Sequence, residues 1–327
     1  MSRIQTIRGP IDSADLGRTL SHEHLCTAYP GIERLPGFID SEARRAEMVD
    51  RCVDALARVA DAGIDSIIDL TPFDLGRQMW LFEAVAARST VNVVCATGVY
   101  RWVPPIYWGL SEDEIAAIWI SEIEDGIEGT GIRPGFIKLA WDLEYELHPE
   151  GARLSPRMLL EHTARAAARA ARATGVPISC HTLAAKRLGV PLLDIFEEEG
   201  VDLRAVTIGH SNDTDDIDYL TGLAARGATV GLDRFFSTAP DYVAQRGAIA
   251  LRLIEAGYAE QVTLGHDAQP AGFWGRWSET PRPDLWTLVP QHEVPWLREH
   301  GASADQIDAV LRRAMQATVE AAANMAS

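Results

Sequence analysis

Lysine is nearly absent: Lys138 and Lys186 are the only two in 327 residues, and arginine supplies the rest of the 30 basic side chains. Chemistry that needs a deprotonated amine is therefore confined to two positions, since a guanidinium stays charged. Basic clusters are missing too. With a formal net charge of -17 and its cations scattered, the chain would repel a nucleic-acid polyanion or an anionic membrane surface, and small neutral substrates suit it better. No apolar run approaches the roughly 20 residues of a membrane-spanning helix, and the first 17 residues carry Arg3 and Arg8 without an apolar signal-type core. A soluble cytoplasmic protein with no nucleic-acid or membrane partner is expected. Cys26, Cys52, Cys95 and Cys180 show no CxxC spacing, which favours reduced core thiols over a zinc ribbon or a redox motif. Linker-like tracts, repeats and low-complexity segments are also lacking, so 1–327 reads as a single domain.

What is present is an ordinary globular balance, 47% hydrophobic and 24% charged, with a regular alternation. Eight short runs rich in Val, Ile and Thr, at 18–26, 66–71, 92–100, 135–140, 177–182, 205–211, 228–234 and 261–267, are separated by helical patterns. The stretch 43–62 sets Met48, Val53, Leu56, Val59 and Ala60 on one side, and 155–174 is rich in Ala, Leu and Arg. Ser111-Glu-Asp-Glu114 and Ser303-Ala-Asp-Gln306 read as capping boxes at helix starts. Eight β/α units give the count of a (β/α)8 TIM barrel, the expected α/β architecture, with an open doubly wound sheet as the alternative. The leading Ile4-Gln-Thr-Ile-Arg-Gly-Pro-Ile11 reads as a short β-hairpin that caps the barrel's bottom.

In such a barrel the C-terminal ends of the strands share one mouth. Those ends carry His22 and His24 on the first strand, Lys138 on the fourth, His181 on the fifth, His210 on the sixth and Asp267 on the eighth. Residues two apart on a strand face the same way, so His22 and His24 look inward together and can grip one metal ion, while Glu23 looks out toward the helices. The same parity allows only one of His266 and Asp267 inside. Asp267 is the choice, because a carboxylate is both ligand and base, and His266 takes a structural role. His148, His162, His292 and His300 lie in loop or helical segments and take ordinary structural or surface roles.

Lys138 sits in the apolar run Pro134-Gly-Phe-Ile-Lys-Leu-Ala140, where an isolated ammonium is costly to bury. Two nearby cations would favour its neutral amine. A neutral amine can take up carbon dioxide as a carbamate, whose two oxygens can bridge two metals. The alternative is a lysine reaching the rim, or paired with a carboxylate such as Asp142.

These residues resemble the phosphotriesterase family, including its phosphotriesterase-like lactonases. The likeness rests on Gly17-Arg-Thr-Leu-Ser-His-Glu-His-Leu25, Asp69-Leu-Thr-Pro-Phe-Asp-Leu-Gly-Arg77, Ala96-Thr-Gly-Val-Tyr100, Gly126-Ile-Glu-Gly-Thr-Gly-Ile132 with Lys138, Ala173-Thr-Gly-Val-Pro177 leading to His181, Ile208-Gly-His-Ser-Asn-Asp-Thr-Asp-Asp216, Gly231-Leu-Asp-Arg234 and Gly265-His-Asp267, in family order. The resemblance implies that His22, His24 and Asp267 hold the more buried of two divalent ions (Zn, or Fe, Co or Mn) and His181 and His210 the more exposed one. Carboxylated Lys138 and a hydroxide nucleophile would bridge them, Asp267 would accept the proton and Asp213 would serve as relay partner.

Tyr100 and Arg234 resemble the lactonase pattern, and Phe273, Trp274 and Trp277 lie in a loop, 268–286, that matches the family less closely. That loop suits an acyl chain or aryl ring, and equally a partner subunit. The function expected is a metal-dependent hydrolase that opens hydrophobic lactones, such as N-acyl homoserine lactones, with promiscuous organophosphate triesterase activity, working as a monomer or homodimer. A phosphotriesterase or carboxylesterase with another natural substrate, and a non-catalytic binding protein stabilised by its metals, are the alternatives.

Overall fold

The computed structural model describes residues 2–28, 41–101, 103–142, 156–271, 282 and 284–326. The chain opens with an antiparallel hairpin, β1 (Arg3–Thr6) and β2 (Gly9–Asp12), turning through Gly9 at φ 106°. Parallel strands follow in chain order: β3 (Thr19–Glu23), β4 (Ser66–Asp69), β5 (Asn92–Val94) with β6 (Ala96–Gly98), β7 (Phe136–Trp141), β8 (Ile178–Thr182), β9 (Val206–Gly209), β10 (Thr229–Leu232) and β11 (Val262–Leu264). β3-β4-β5 form one run of sheet and β6 to β11 the other. β5 and β6 are one expected strand interrupted at Cys95, whose carbonyl accepts from the Gly135 N–H at 2.9 Å.

β11 comes back beside β3. The Asp267 N–H donates to the His22 carbonyl at 2.9 Å and the Ser21 hydroxyl to the Leu264 carbonyl at 3.1 Å. Gly265 makes that approach feasible, since a Cβ there would stand 2.8 Å from the His22 nitrogen. The eight strands, counting β5 and β6 once, therefore take the (β/α)8 arrangement.

Strand parity sorts the side chains. Ile67, Val93, Ile137 and Leu139 pack outward with the helices in the main core, while Ile68, Val94, Ala96 and Phe136 face inward with Ile4 of the hairpin and Met315 and Val319 of the last helix. Hairpin and helix thus plug the N-terminal end of the barrel and leave the C-terminal end for polar side chains.

The helices are α1 (Glu42–Asp61), α2 (Met79–Ala86), α3 (Glu112–Asp125), α4 (Pro156–Thr174), α5 (Gly189–Glu198), α6 (Ile217–Ala225), α7 (Pro240–Glu255), α8 (Val294–Glu299), α9 (Ala304–Asp308) and α10 (Ala314–Met325). Ser111 and Ser303 form capping boxes with Glu114 and Gln306. Two wide π turns interrupt the last helices. One, Val289–Glu293, precedes α8, where Pro295 has no N–H to continue the ordinary ladder. The other, Ala309–Arg313, joins α9 to α10 within what reads as one helix. The four cysteines are buried and unpaired. Among the described residues no helix is long and apolar enough to cross a membrane.

Candidate metal centre

His22 and His24 leave β3 on its inward face, their ring centroids 5.2 Å apart. Asp267 meets them from the end of β11: its Oδ1 lies 3.0 Å from His24 Nε2 and 3.6 Å from His22 Nε2. Ligand atoms of the three all fall within 4.8 Å of one another. His210 stacks on His22 with centroids 5.1 Å apart, and His181 meets His210 edge-on at 4.3 Å. Lys138, inward on β7 two residues past Phe136, is buried with its Nζ 3.1 Å from His22 Nε2. Six side chains from five strands thus converge at one mouth.

The sequence reading missed what orients them. Asp233, just past β10, is buried between two imidazoles: Oδ2 lies 2.6 Å from His22 Nδ1, and Oδ1 2.8 Å from both His210 Nδ1 and the His210 backbone N–H. A carboxylate only accepts, so both Nδ1 atoms carry the proton and both Nε2 lone pairs are left for the cavity. His22, His210 and Asp233 are also close enough to resemble a cation site, but these hydrogen bonds occupy their facing atoms and make the trio a brace. Gly209 leaves it room, since a Cβ there would meet Asp233 Oδ2 at 2.9 Å. The available signal was parity, which aims residue 233 inward two positions past Gly231. Thr71 plays the same part for His24, its Oγ1 2.8 Å from Nδ1.

His210 and Asp267 adopt φ of 59° and 51°, the left-handed region that costs a non-glycine residue about 1–2 kcal/mol. Strain at two converging residues of this kind is held by the surrounding bonds. The electrostatics agree with a cation site. Burial, then the Lys138 charge, pushes the His22 imidazole down to about 3, and burial with His210 nearby pushes His181 well below its ordinary value. These rings are neutral donors. Burial raises the carboxyls of Asp233 and Asp267, but the surrounding histidines outweigh it and hold both below the usual carboxylate range. Burial pushes the Lys138 amine down to about 8. His181 Nδ1 is buried with no hydrogen-bond partner among the described residues, its Nε2 being 3.3 Å from Asp142 Oδ2. Neutral imidazoles, an ionised carboxylate and an orphaned ring nitrogen fit divalent ions of intermediate hardness.

Other expected residues fall as follows. Tyr100, at the end of β6, sets its ring edge-on to His181 at 5.5 Å, its Oη accepting from Arg101 at 2.9 Å and its backbone N–H donating to Asp74. Arg234 reaches Asp267 Oδ2 with Nε at 3.6 Å. Asp213 pairs with Arg234, its Oδ2 2.9 Å from Nη1, while Arg234 Nε lies 3.6 Å from Asp267, so the same guanidinium contacts both expected relay partners. Asp142 pairs toward His181 and Arg101. His266 turns away from the mouth: Nδ1 lies 2.6 Å from Glu23 Oε1, Nε2 accepts from the Val289 N–H at 2.9 Å, and burial holds the ring neutral. Glu23, expected to face the helices, is the partner that fixes it. Trp286 is buried, its indole donating to the Ala268 carbonyl at 3.0 Å, which ties it to the chain just past β11. Phe273, Trp274, Trp277 and His148 lie outside the described residues.

A sequence profile of the phosphotriesterase family matches residues 2–317. The chain belongs to the phosphotriesterase family. A phosphotriesterase homology protein of Mycobacterium tuberculosis is 36% identical over 327 residues, covering 95% of each chain. An aryldialkylphosphatase of Saccharolobus solfataricus is 34% identical over 312 residues, covering 92% of this chain and 94% of that one. A solved structure of the phosphotriesterase from Mycobacterium tuberculosis superposes with a TM-score of 0.84 at 33% identity, covering 97% of this chain and 98% of its own. As a phosphotriesterase-family protein the chain is a metal-dependent hydrolase on a TIM-barrel fold, and the strand-end cluster is where its cations would sit.

Proposed function

We infer that the protein opens hydrophobic lactones, N-acyl homoserine lactones among them, and hydrolyses organophosphate triesters as a slower side reaction. His22, His24 and Asp267 would hold one cation, His181 and His210 the other, with Lys138, carboxylated by CO2, between them. The buried Lys138 supports this: it has no carboxylate at hydrogen-bond distance among the described residues, and an amine lowered to about 8 supplies the neutral form that adds to CO2 with loss of one proton. The two cations would supply Lewis-acid activation of water and of the substrate's C=O or P=O.

The chain's own residues do the rest. Asp267, an anion beside His24, accepts the proton of the attacking water. Arg234 and Tyr100 flank it with fixed donors suited to an oxyanion or a departing alkoxide. The pairing of phenol and guanidinium at Tyr100 and Arg234 carries the lactonase reading, and the 34% identical aryldialkylphosphatase supports the triester side activity.

The test is a substrate panel on cation- and bicarbonate-reconstituted protein: lactones of several chain lengths, aryl esters and paraoxon. Lactones should show the highest kcat/KM, and Tyr100→Trp or Arg234→His should depress lactone turnover more than triester turnover. Paraoxon turnover far above every lactone would sink the lactonase reading.

A further inference from the structure

Arg234 sits at the rim on a long flexible side chain, yet it is held at both ends from the start of α7. The Tyr242 hydroxyl donates to the Arg234 carbonyl at 2.8 Å and accepts from the Phe236 N–H at 3.3 Å. The Asn212 amide adds a second bond to the same carbonyl at 3.3 Å. One helical turn on, on the same face, the Arg246 guanidinium lies over the Tyr242 ring at 5.3 Å and reaches Asp213 Oδ1 at 3.2 Å, while Asp213 Oδ2 takes Arg234 Nη1 at 2.9 Å. Charges therefore alternate from the metal centre outward: Asp267, Arg234, Asp213, Arg246. Within electrostatic reach of Arg246, Glu293 lies in the π turn ahead of α8, buried with neither carboxylate oxygen hydrogen-bonded among the described residues. Burial pushes that carboxyl up to about 8, so at neutral pH it is largely an uncharged acid and leaves the Arg246 charge to Asp213.

We propose that Tyr242 and Arg246 are positioning residues that hold Arg234 over Asp267, Tyr242 through the Arg234 backbone and Arg246 through Asp213. Tyr242 bonds the Arg234 carbonyl and Arg246 bonds Asp213, so both act through Arg234. The inference rests on the reading that Arg234 contacts the substrate. Its physical content is that a guanidinium fixed in advance loses little freedom when the transition state forms, whereas one tethered only by its own side chain must be ordered at each turnover. Loss of the Arg246 charge leaves Asp213 free to swing and take Arg234 with it.

The experiment is a kinetic cycle on cation-loaded protein with a lactone substrate, comparing Arg234→Met, Arg246→Ala, the double variant, Arg246→Lys and Tyr242→Phe. Arg246→Ala should lower kcat about tenfold with KM, cation content and melting temperature little changed. Arg246→Lys should recover most of that loss, and the double variant should be no worse than Arg234→Met alone. Tyr242→Phe removes a single hydroxyl and should cost about threefold in kcat, which keeps the test open if Arg246→Ala fails to fold. An impaired Arg234→Met beside unimpaired Arg246→Ala and Tyr242→Phe, or losses that simply multiply in the double variant, would overturn the inference alone. A fully active Arg234→Met would overturn the assignment of Arg234 as well.

Discussion

Asp233→Asn isolates the tautomer logic of the metal centre with almost no change of shape. The native carboxylate accepts two bonds on the His210 side and one from His22. An amide has one accepting and one donating end. Keeping its oxygen toward His210, where two N–H groups point, turns its NH2 toward His22 Nδ1. That nitrogen must then accept, so the ring's proton moves to Nε2, the atom that faces Asp267 and Lys138. His22 ceases to be a ligand while remaining in place. A disturbed hydrogen-bond partner of a metal-binding histidine typically costs about 10- to 100-fold in metal affinity, roughly 1.4–2.7 kcal/mol. The loss should fall first on the ion shared with His24 and Asp267. Dialysis against graded chelator followed by elemental analysis reads it directly. Asp233→Ala is the contrast, because both rings can then choose their tautomer: it should lose more stability and less metal than Asp233→Asn. An Asp233→Asn protein that retains both ions at wild-type affinity would refute the reasoning.

Lys138→Arg keeps a cation but cannot form a carbamate, so it should lose on the order of 100-fold in kcat; bicarbonate should stimulate metal reconstitution of wild type and leave the variant unchanged. Gly265→Ala places a Cβ 2.8 Å from the His22 nitrogen and 3.0 Å from its oxygen, forcing β11 from β3 at a cost of about 1–3 kcal/mol, read as a lower denaturation midpoint. Glu293→Gln tests the buried acid: with its carboxyl raised from 4.5 to about 8, the folded protein retains a proton that the unfolded chain releases. Wild type should therefore lose stability relative to Glu293→Gln as pH rises from about 4.5 to 8, by up to roughly 5 kcal/mol, with a flat difference outside that window. Parallel stability curves for the two across that range would remove the buried-acid reading.

The barrel and the converging side chains were legible because both follow from local periodicities. Alternating β and α patterns gave the eight units, and the period of two along a strand sent His22 and His24 one way and Glu23 the other. Parity also separated Asp267 from His266. What it could not supply was the partner across the barrel. Asp233 serves His22, 211 residues away, and no spacing in the chain announces that pairing. Nor does sequence declare left-handed backbone at His210 and Asp267, since neither is glycine; only the bonds around them hold it. Asp213 is a further case: the sequence sets it just past β9, but no spacing announces its ion pairs with Arg234 Nη1 at 2.9 Å and Arg246 Nη1 at 3.2 Å.

The charge balance of the mouth implies that cation occupancy and folding stability are one measurement. Asp233 and Asp267 are held ionised, His22 and His181 are held neutral, and Lys138 is pushed toward its uncharged form. Two carboxylates are thus buried at one mouth, with the Arg234 guanidinium 3.6 Å from Asp267 as the nearest fixed cation, an arrangement costly without ions. Cations that bind only the folded state stabilise it by about 2.7 kcal/mol at a hundredfold excess over Kd. Chelation should therefore lower the melting temperature, readdition should restore it, and the span between the two should shrink in Asp233→Asn, which has lost one imidazole donor. A chelated wild type, shown by elemental analysis to be free of metal, that melts where the loaded protein does would mean the buried carboxylates are balanced by the chain itself, and the cluster would no longer be a metal centre.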